Sequence, residues 1–198
     1  MKSVKIGLAQ SRQTSEVRTN EQTIFRFLDE AARKNTSMLE VLCLLIGGEA
    51  AARSEKTLQR RIAQARLPRR KTLEDYDFEF PKKIPKQKVL RLFDCEFVSK
   101  HQSAVLIGGT GTGKTHLLTA LGFVACEQGI RVRFTRVIDM INVLTTAQIN
   151  GTLEKRLREY TRPDLLLLDE LGYLPIDKRG ADLMFQVVAA RYESGSTV

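Results

Sequence analysis

The stretch Gly108-Gly109-Thr110-Gly111-Thr112-Gly113-Lys114-Thr115 spells G-x-x-x-x-G-K-[ST]. Glycines so spaced let a tight turn aim successive backbone N–H groups at one point, where they cradle the oxygens of a di- or triphosphate. Lys114 is spaced to reach the β- and γ-phosphates and the Thr115 hydroxyl to ligate Mg²⁺. His116 completes the predicted nucleotide-binding set, residues 108–116. A second chemical signal, Leu165-Leu166-Leu167-Leu168-Asp169-Glu170, brings Asp169 54 residues after Thr115. Asp169 is the expected second Mg²⁺ ligand. Glu170, one residue on, is suited to orient or deprotonate the attacking water, with Lys114 as the other catalytic group. Phosphoryl transfer rests on positioning and charge stabilisation, so these groups form a minimal hydrolytic set. The same residues disfavour other chemistries. A small-molecule kinase needs no hydrolytic glutamate, and glycines at 109, 111 and 113 do not fit the dinucleotide pattern G-x-G-x-x-G.

The elements that must position these groups alternate. Ala104–Ile107 predicts a strand entering the glycine loop, and His116–Gln128 a helix leaving it, ended by Gly129. Arg131–Thr135 predicts a second strand, Val137–Leu144 and Leu153–Tyr160 helices, and Arg179–Glu193 a last helix before the strand-like Ser196-Thr197-Val198. Four consecutive leucines between Pro163 and the acids suit a strand buried on both faces of a parallel sheet. The pattern is α/β: a P-loop NTPase with a three-layer parallel sheet, whose ligand sits at the carboxyl ends of the strands.

Upstream, the character changes. Residues 1–18 are polar and aperiodic, and a capping box at Thr19–Gln22 opens a helix that Asn35-Thr36 ends. A second box at Ser37 opens an apolar helix to Ile46, with Gly47-Gly48 expected to end it or turn it back. A third helix, Glu49–Ala65, carries Leu58, Ile62 and Ala65 on one side and basic residues over much of the rest. Residues 1–66 thus read as a small, basic, all-α module and 67–88 as an extended, proline-containing linker. Residues 89–198, which begin with a helix from Val89 to about Phe97, read as the nucleotide-binding core. Within the linker Tyr76, Phe78 and Phe80 alternate at period two, the pattern of an edge strand. They could cover the adenine or pack the linker down, and packing is favoured.

The formal net charge of +9 is concentrated. Arg53–Arg91 holds 13 Lys/Arg against 5 Asp/Glu, whereas residues 103–198 hold 11 against 10. A positive segment beside a near-neutral core suggests a polyanion bound through its phosphates. Arg60, Arg61, Arg66, Arg69 and Arg70 are the candidate contacts to double-stranded DNA, and Lys155, Arg156 and Arg158 form a second candidate group. That second group suits equally the solvated face of a packed helix. No apolar run approaches the roughly 20 residues that span a bilayer, and Met1–Gln10 has no apolar signal core. Cys43, Cys95 and Cys126 are isolated fillers, and His101 and His116 lack metal-ligand spacing. The expectation is a cytoplasmic protein without a membrane partner.

Beyond these readings, Gly108–Leu117, Leu165–Pro175 (LLLLDELGYLP), Phe185–Ser194 (FQVVAARYES) and Lys71–Phe78 (KTLEDYDF) carry a resemblance. The chain resembles the IstB ATP-binding proteins, transposition helper ATPases of insertion sequences. That family stands close to the helicase loader DnaC in the initiator branch of the AAA+ ATPases. The resemblance covers roughly residues 38–198. It implies an ATP- and Mg²⁺-dependent, DNA-binding homo-oligomer that engages a transposase or, in a loader-like alternative, a replicative helicase. A non-hydrolysing, nucleotide-responsive adaptor is the other alternative. Such proteins continue into a sensor strand, an arginine-finger helix and a lid. With 28 residues after Glu170, the expectation is a carboxy-terminally truncated AAA+ core. The absent sensor strand would belong between the strand at 104–107 and the Asp169 strand. Arg191 is a poor substitute for the finger.

Overall fold

The computed structural model describes residues 25–26, 38–79, 84–172 and 175–198. Most of the helix expected after Thr19, and Phe80, lie outside the described residues. The chain forms two compact units, Met1–Lys56 and Thr57–Val198.

In chain order the elements are α1 (Met38–Ala65), α2 (Lys86–Phe93), α3 (Glu96–Ser99), α4 (Lys114–Glu127), β1 (Val132–Arg136), α5 (Val137–Ile149), α6 (Leu153–Thr161), β2 (Leu165–Asp169), α7 (Lys178–Arg191) and β3 (Ser196–Thr197). Four expectations change, the strand at Ala104–Ile107 among them. Gly47-Gly48 does not interrupt α1, which is one helix of 28 residues. A glycine in a helix interior costs only about 1 kcal/mol relative to alanine, and neither glycine adopts the positive φ that a helix-ending cap requires. The helix expected over 89–97 divides into α2 and α3 at Cys95, whose φ is 55°. Residues 71–79 form turns and bends instead of an edge strand.

The sheet is parallel, in the order β1-β2-β3. β1 pairs with β2 from Val132↔Leu165 to Arg136↔Asp169, and β2 pairs with β3 from Leu165↔Ser196. β2 is therefore the middle strand. Alternate side chains of a strand point to opposite faces, and the leucines divide accordingly. Leu165 and Leu167 join the cluster containing Leu117, Leu121 and Cys126 of α4. Leu166 joins Met140 and Leu144 of α5, Tyr160 of α6, and Leu183 and Val187 of α7. Leu165, Leu166 and Leu167 are fully buried, as a strand covered by helices on both sides requires.

α4 is buried almost all round, because Leu67, in the chain leaving α1, packs onto it alongside Leu167 of β2. Gly122 makes this possible. A Cβ there would lie 2.4 Å from Leu67 Cδ2 and 2.9 Å from Leu167 Cδ1, so any larger residue would require these leucine side chains to shift.

The strand expected at Ala104–Ile107 is not formed. The Ala104 N–H donates to Thr197 C=O (3.0 Å), while the N–H and C=O of Val198 go to Leu166 and Leu168 of β2. Val105 and Ile107 are exposed. β3 thus occupies the position between β2 and residue 104 that the sequence reading reserved for a sensor strand. It supplies residues 104–107 with one backbone rung among the described residues, and one rung does not make a ladder.

Arg191 ties the far end of this layer together and is 2 % exposed. Its Nη1 donates to the carbonyls of Tyr160, Thr161 and Pro163 (2.9, 3.3 and 2.8 Å). Its Nη2 reaches Asp164 and Ser196 (3.2 and 2.5 Å), and Nε reaches Thr197 Oγ1 (3.1 Å). One guanidinium so joins the end of α6, the entry to β2 and the start of β3. Burial pulls its pKa down to about 10. Arg191→Met is expected to lower the unfolding free energy by at least about 3 kcal/mol, since buried carbonyls cost about 1–3 kcal/mol each when stranded. Arg191→Lys should not restore it, having a single nitrogen in place of the fork. Urea denaturation is the measurement. Cys95 and Cys126 are buried, with thiols pushed up to about 11 by burial, whereas Cys43 is exposed. In native protein at mildly alkaline pH, Ellman's reagent should react promptly with Cys43 and reach the other two only after denaturant is added.

Candidate functional site

The glycine loop opens α4 as its spacing requires. Gly113 is the residue before the helix, with φ 81°, and no side chain caps the first turn. Gly111 also has positive φ (76°). The first N–H groups of a helix have no intrahelical acceptor, so α4 presents them, with the positive end of its dipole, beside the loop. The loop is internally braced. Thr112 Oγ1 donates to the Gly109 carbonyl (2.9 Å). Lys114 Nζ donates to the carbonyls of Gly108 and Gly109 (2.8 and 2.6 Å), so the ammonium folds back across the loop. Thr110 and Gly111 lie exposed at its tip.

Thr115, on the first turn of α4, points at the carboxyl end of β2. Its Oγ1 donates to Asp169 Oδ1 at 3.1 Å, so the fold brings together two groups separated by 54 residues. The same Oδ1 accepts the Glu170 N–H (3.0 Å). Glu170 has φ 60°, a left-handed conformation that non-glycine residues adopt at a cost and that clusters at functional sites. Its carboxylate lies 3.9 Å from Arg136 Nη1.

Sequence reasoning missed Arg136. It ends β1 directly beside Asp169 and makes a two-point contact with Asp139 (2.8 and 3.1 Å). Hydrogen bonding to Asp139, then the charges of Glu170 and Asp169, hold the guanidinium pKa above its ordinary value. The available signal was a basic residue at the carboxyl end of a parallel strand, the edge where ligands collect.

The aromatic segment meets the loop from the other side. Tyr76 is buried and donates its hydroxyl to the Thr112 carbonyl (2.9 Å). Its ring packs edge-on against Phe78 (4.9 Å) and His116 (5.4 Å). His116 Nε2 lies 2.7 Å from the Thr72 carbonyl, the ring nitrogen donating, so this side chain is engaged with the linker. Thr72 closes the turn, its hydroxyl bonding Asp75 and accepting the Asp75 N–H. The bond from Thr72 holds the exposed Asp75 carboxyl below the usual range.

The two oxygens of Thr115 and Asp169 suit Mg²⁺, a hard cation that takes few protein ligands and completes its octahedron with phosphate and water. Among the described residues, no group of three or more His, Cys, Asp or Glu side chains is arranged to hold a metal ion.

The basic candidates fall on separate elements. Arg60 is exposed on α1, and Arg61 is half-buried against Gly129. Arg66, with φ 54°, follows the end of α1. Arg66, Arg69 and Arg70 are exposed, and Arg70 also lies over the Phe123 ring at 6.0 Å and 3.9 Å from Glu127. Lys155, Arg156 and Arg158 lie exposed on α6, where Arg156 pairs with Glu159 and Arg158 with Glu154. Among the described residues, no helix is long and apolar enough to cross a membrane.

Residues 20–198 match the family model described as "IstB-like ATP binding protein". The insertion sequence IS21 putative ATP-binding protein of Pseudomonas aeruginosa is 37% identical over 171 residues, 86% of this chain and 64% of that protein. The IS232 putative ATP-binding protein of Bacillus thuringiensis subsp. berliner is 33% identical over 86% of this chain and 68% of its own length. The chain thus spans about two thirds of the curated relatives it matches. Among solved structures, the replication initiator DnaA bound to AMPPCP and single-stranded DNA superposes with a TM-score of 0.58. It is 27% identical, over 67% of this chain and 42% of that one. Loop, acidic strand end and buried parallel sheet therefore have an AAA+ P-loop architecture, and the chain belongs to the family of IstB-like ATP-binding proteins.

Proposed function

We propose that this chain is the ATPase of a DNA-bound transposition helper, binding ATP at residues 108–116 and hydrolysing it with Glu170. The observation that carries the reading is the 3.1 Å contact of Thr115 with Asp169, with Glu170 next in the chain. The amides of the loop and of the first turn of α4 bind the phosphates. Lys114 exchanges its bonds to the Gly108 and Gly109 carbonyls for phosphate oxygens. Thr115 and Asp169 would hold Mg²⁺, which supplies charge neutralisation on the transferring phosphoryl group. Glu170 orients the attacking water and accepts its proton, with Arg136 setting the resting position of its carboxylate.

The names of the relatives support work on insertion sequences. The basic run through Arg60, Arg61, Arg66, Arg69 and Arg70 supports double-stranded DNA as a partner, and the family supports a transposase and self-assembly. Residues 1–66 would serve as the partner module and 67–88 as its linker to the ATPase core. A helicase-loader role is the second reading, favoured by the likeness to a replication initiator. Co-purification of a replicative helicase in place of a transposase would select it.

Lys114→Ala should weaken Mg-ATP binding by about 10- to 100-fold, because charge-assisted hydrogen bonds contribute about 1.5–3 kcal/mol and 1.4 kcal/mol is tenfold. Glu170→Gln should keep binding while DNA-stimulated phosphate release falls by about 10²–10⁴, the usual contribution of general acid–base catalysis. Undiminished ATP binding by Lys114→Ala in isothermal titration would overturn the site. Affinity for duplex DNA should fall with salt at a log–log slope of about −0.9 per neutralised phosphate. A flat response in an anisotropy titration would remove the basic run as the DNA contact.

A further inference from the structure

The contact between Tyr76 and the glycine loop has a directional consequence. A peptide group is planar and trans, so the Thr112 carbonyl and the Gly113 N–H point in opposite directions. The Tyr76 hydroxyl holds that carbonyl at 2.9 Å on the linker side, which turns the Gly113 N–H away from the linker. Rotating this peptide would withdraw the N–H from the cradle. The rotation would also break the Tyr76 bond and leave a buried phenol without its acceptor.

The ring adds a steric stop. A Cβ on Gly113 would sit 2.5 Å from Tyr76 Cε2, so glycine backbone and ring are in direct apposition. The ring is itself held. It lies in the buried cluster with Leu117, Leu118 and Val89, and its hydroxyl pKa is raised by burial, which keeps it a donor. His116 closes the arrangement by bonding Thr72 at the start of the turn (2.7 Å) and meeting the Tyr76 ring edge-on. The turn is therefore fastened at both ends to the start of α4. Arg69 and Arg70 lie three and two residues before Thr72.

We propose that Tyr76 is a positioning residue for the phosphate loop, a linker-borne brace that aims the Gly113 amide at the nucleotide and tightens when phosphate binds. The proposal rests on the reading of residues 108–116 as the ATP site. It assigns to the linker a part in nucleotide affinity separate from covering the base.

Tyr76→Phe keeps the ring and removes the hydroxyl. The Kd for mant-ATP with Mg²⁺ should rise about 3- to 10-fold, the range expected for one net hydrogen bond. The melting temperature without nucleotide should move by less than the ATP-induced stabilisation does. An unchanged Kd in a folded Tyr76→Phe protein overturns the brace, and if Lys114→Ala still weakens binding by about 10- to 100-fold, the ATP site stands without it. If neither variant changes the Kd, the ATP site itself is wrong. A second measurement needs no variant: amide hydrogen exchange of the wild-type chain with and without the ATP analogue AMPPCP. Slowed exchange at residues 72–78 together with 108–113 supports the brace, and protection confined to 108–113 overturns it.

Discussion

Burial of β2 on both faces is the constraint from which the rest of the molecule follows. Leu165 and Leu167 face α4 while Leu166 faces α5, α6 and α7, and each leucine fully removed from water contributes about 1.5–3 kcal/mol. A strand with both faces covered has its register strongly specified, because a slip by one residue would exchange the two sets of partners. That register sets where the strand stops. Asp169 emerges opposite Arg136 and beside Thr115 because Leu165 is paired with Val132 four residues earlier. The polar chemistry at the carboxyl end is thus positioned by apolar packing at the amino end.

Arg191 performs the complementary task at the opposite edge. Loops entering β2 and β3 would otherwise bury several carbonyls with no partner, which is costly away from water. A guanidinium offers five donors in a rigid fork, and here it bonds five carbonyls and a threonine hydroxyl. This geometry also answers a question left by the position of Arg191 in the chain. Its charge is spent inside its own sheet layer, so it is a structural arginine and not one presented to a neighbouring subunit.

Much of the site was legible beforehand because glycine and acid spacing encode local backbone requirements. Gly111 and Gly113 sit at positive φ, as a phosphate loop demands, and the leucine run delivers Asp169 to the loop. The misreadings have separate physical causes. Ala104–Ile107 has the composition of a strand, yet strand identity depends on a partner, and β3 meets it at Ala104 alone among the described residues. Gly47-Gly48 reads as a break, but two glycines at helical φ cost less than the surrounding turns of α1 return. Tyr76, Phe78 and Phe80 alternate like an edge strand, whereas the Thr72–Asp75 turn and the Tyr76 bond to Thr112 determine that path.

The sequence by itself determined the components of the candidate site and their order: the loop, the acids, the central strand and the concentration of positive charge upstream. These are properties of residue type and short spacing, set by backbone sterics and side-chain period, and they survive without knowledge of any distant contact. Tertiary structure alone decided the relations across long separations. It directed Thr115 to Asp169, set Arg136 beside Glu170, committed Arg191 to the interior and fastened Tyr76 and His116 between the linker and the loop. The physical reason is that a hydrogen bond between residues tens of positions apart leaves no periodic trace in either segment. It exists only once packing has fixed both ends.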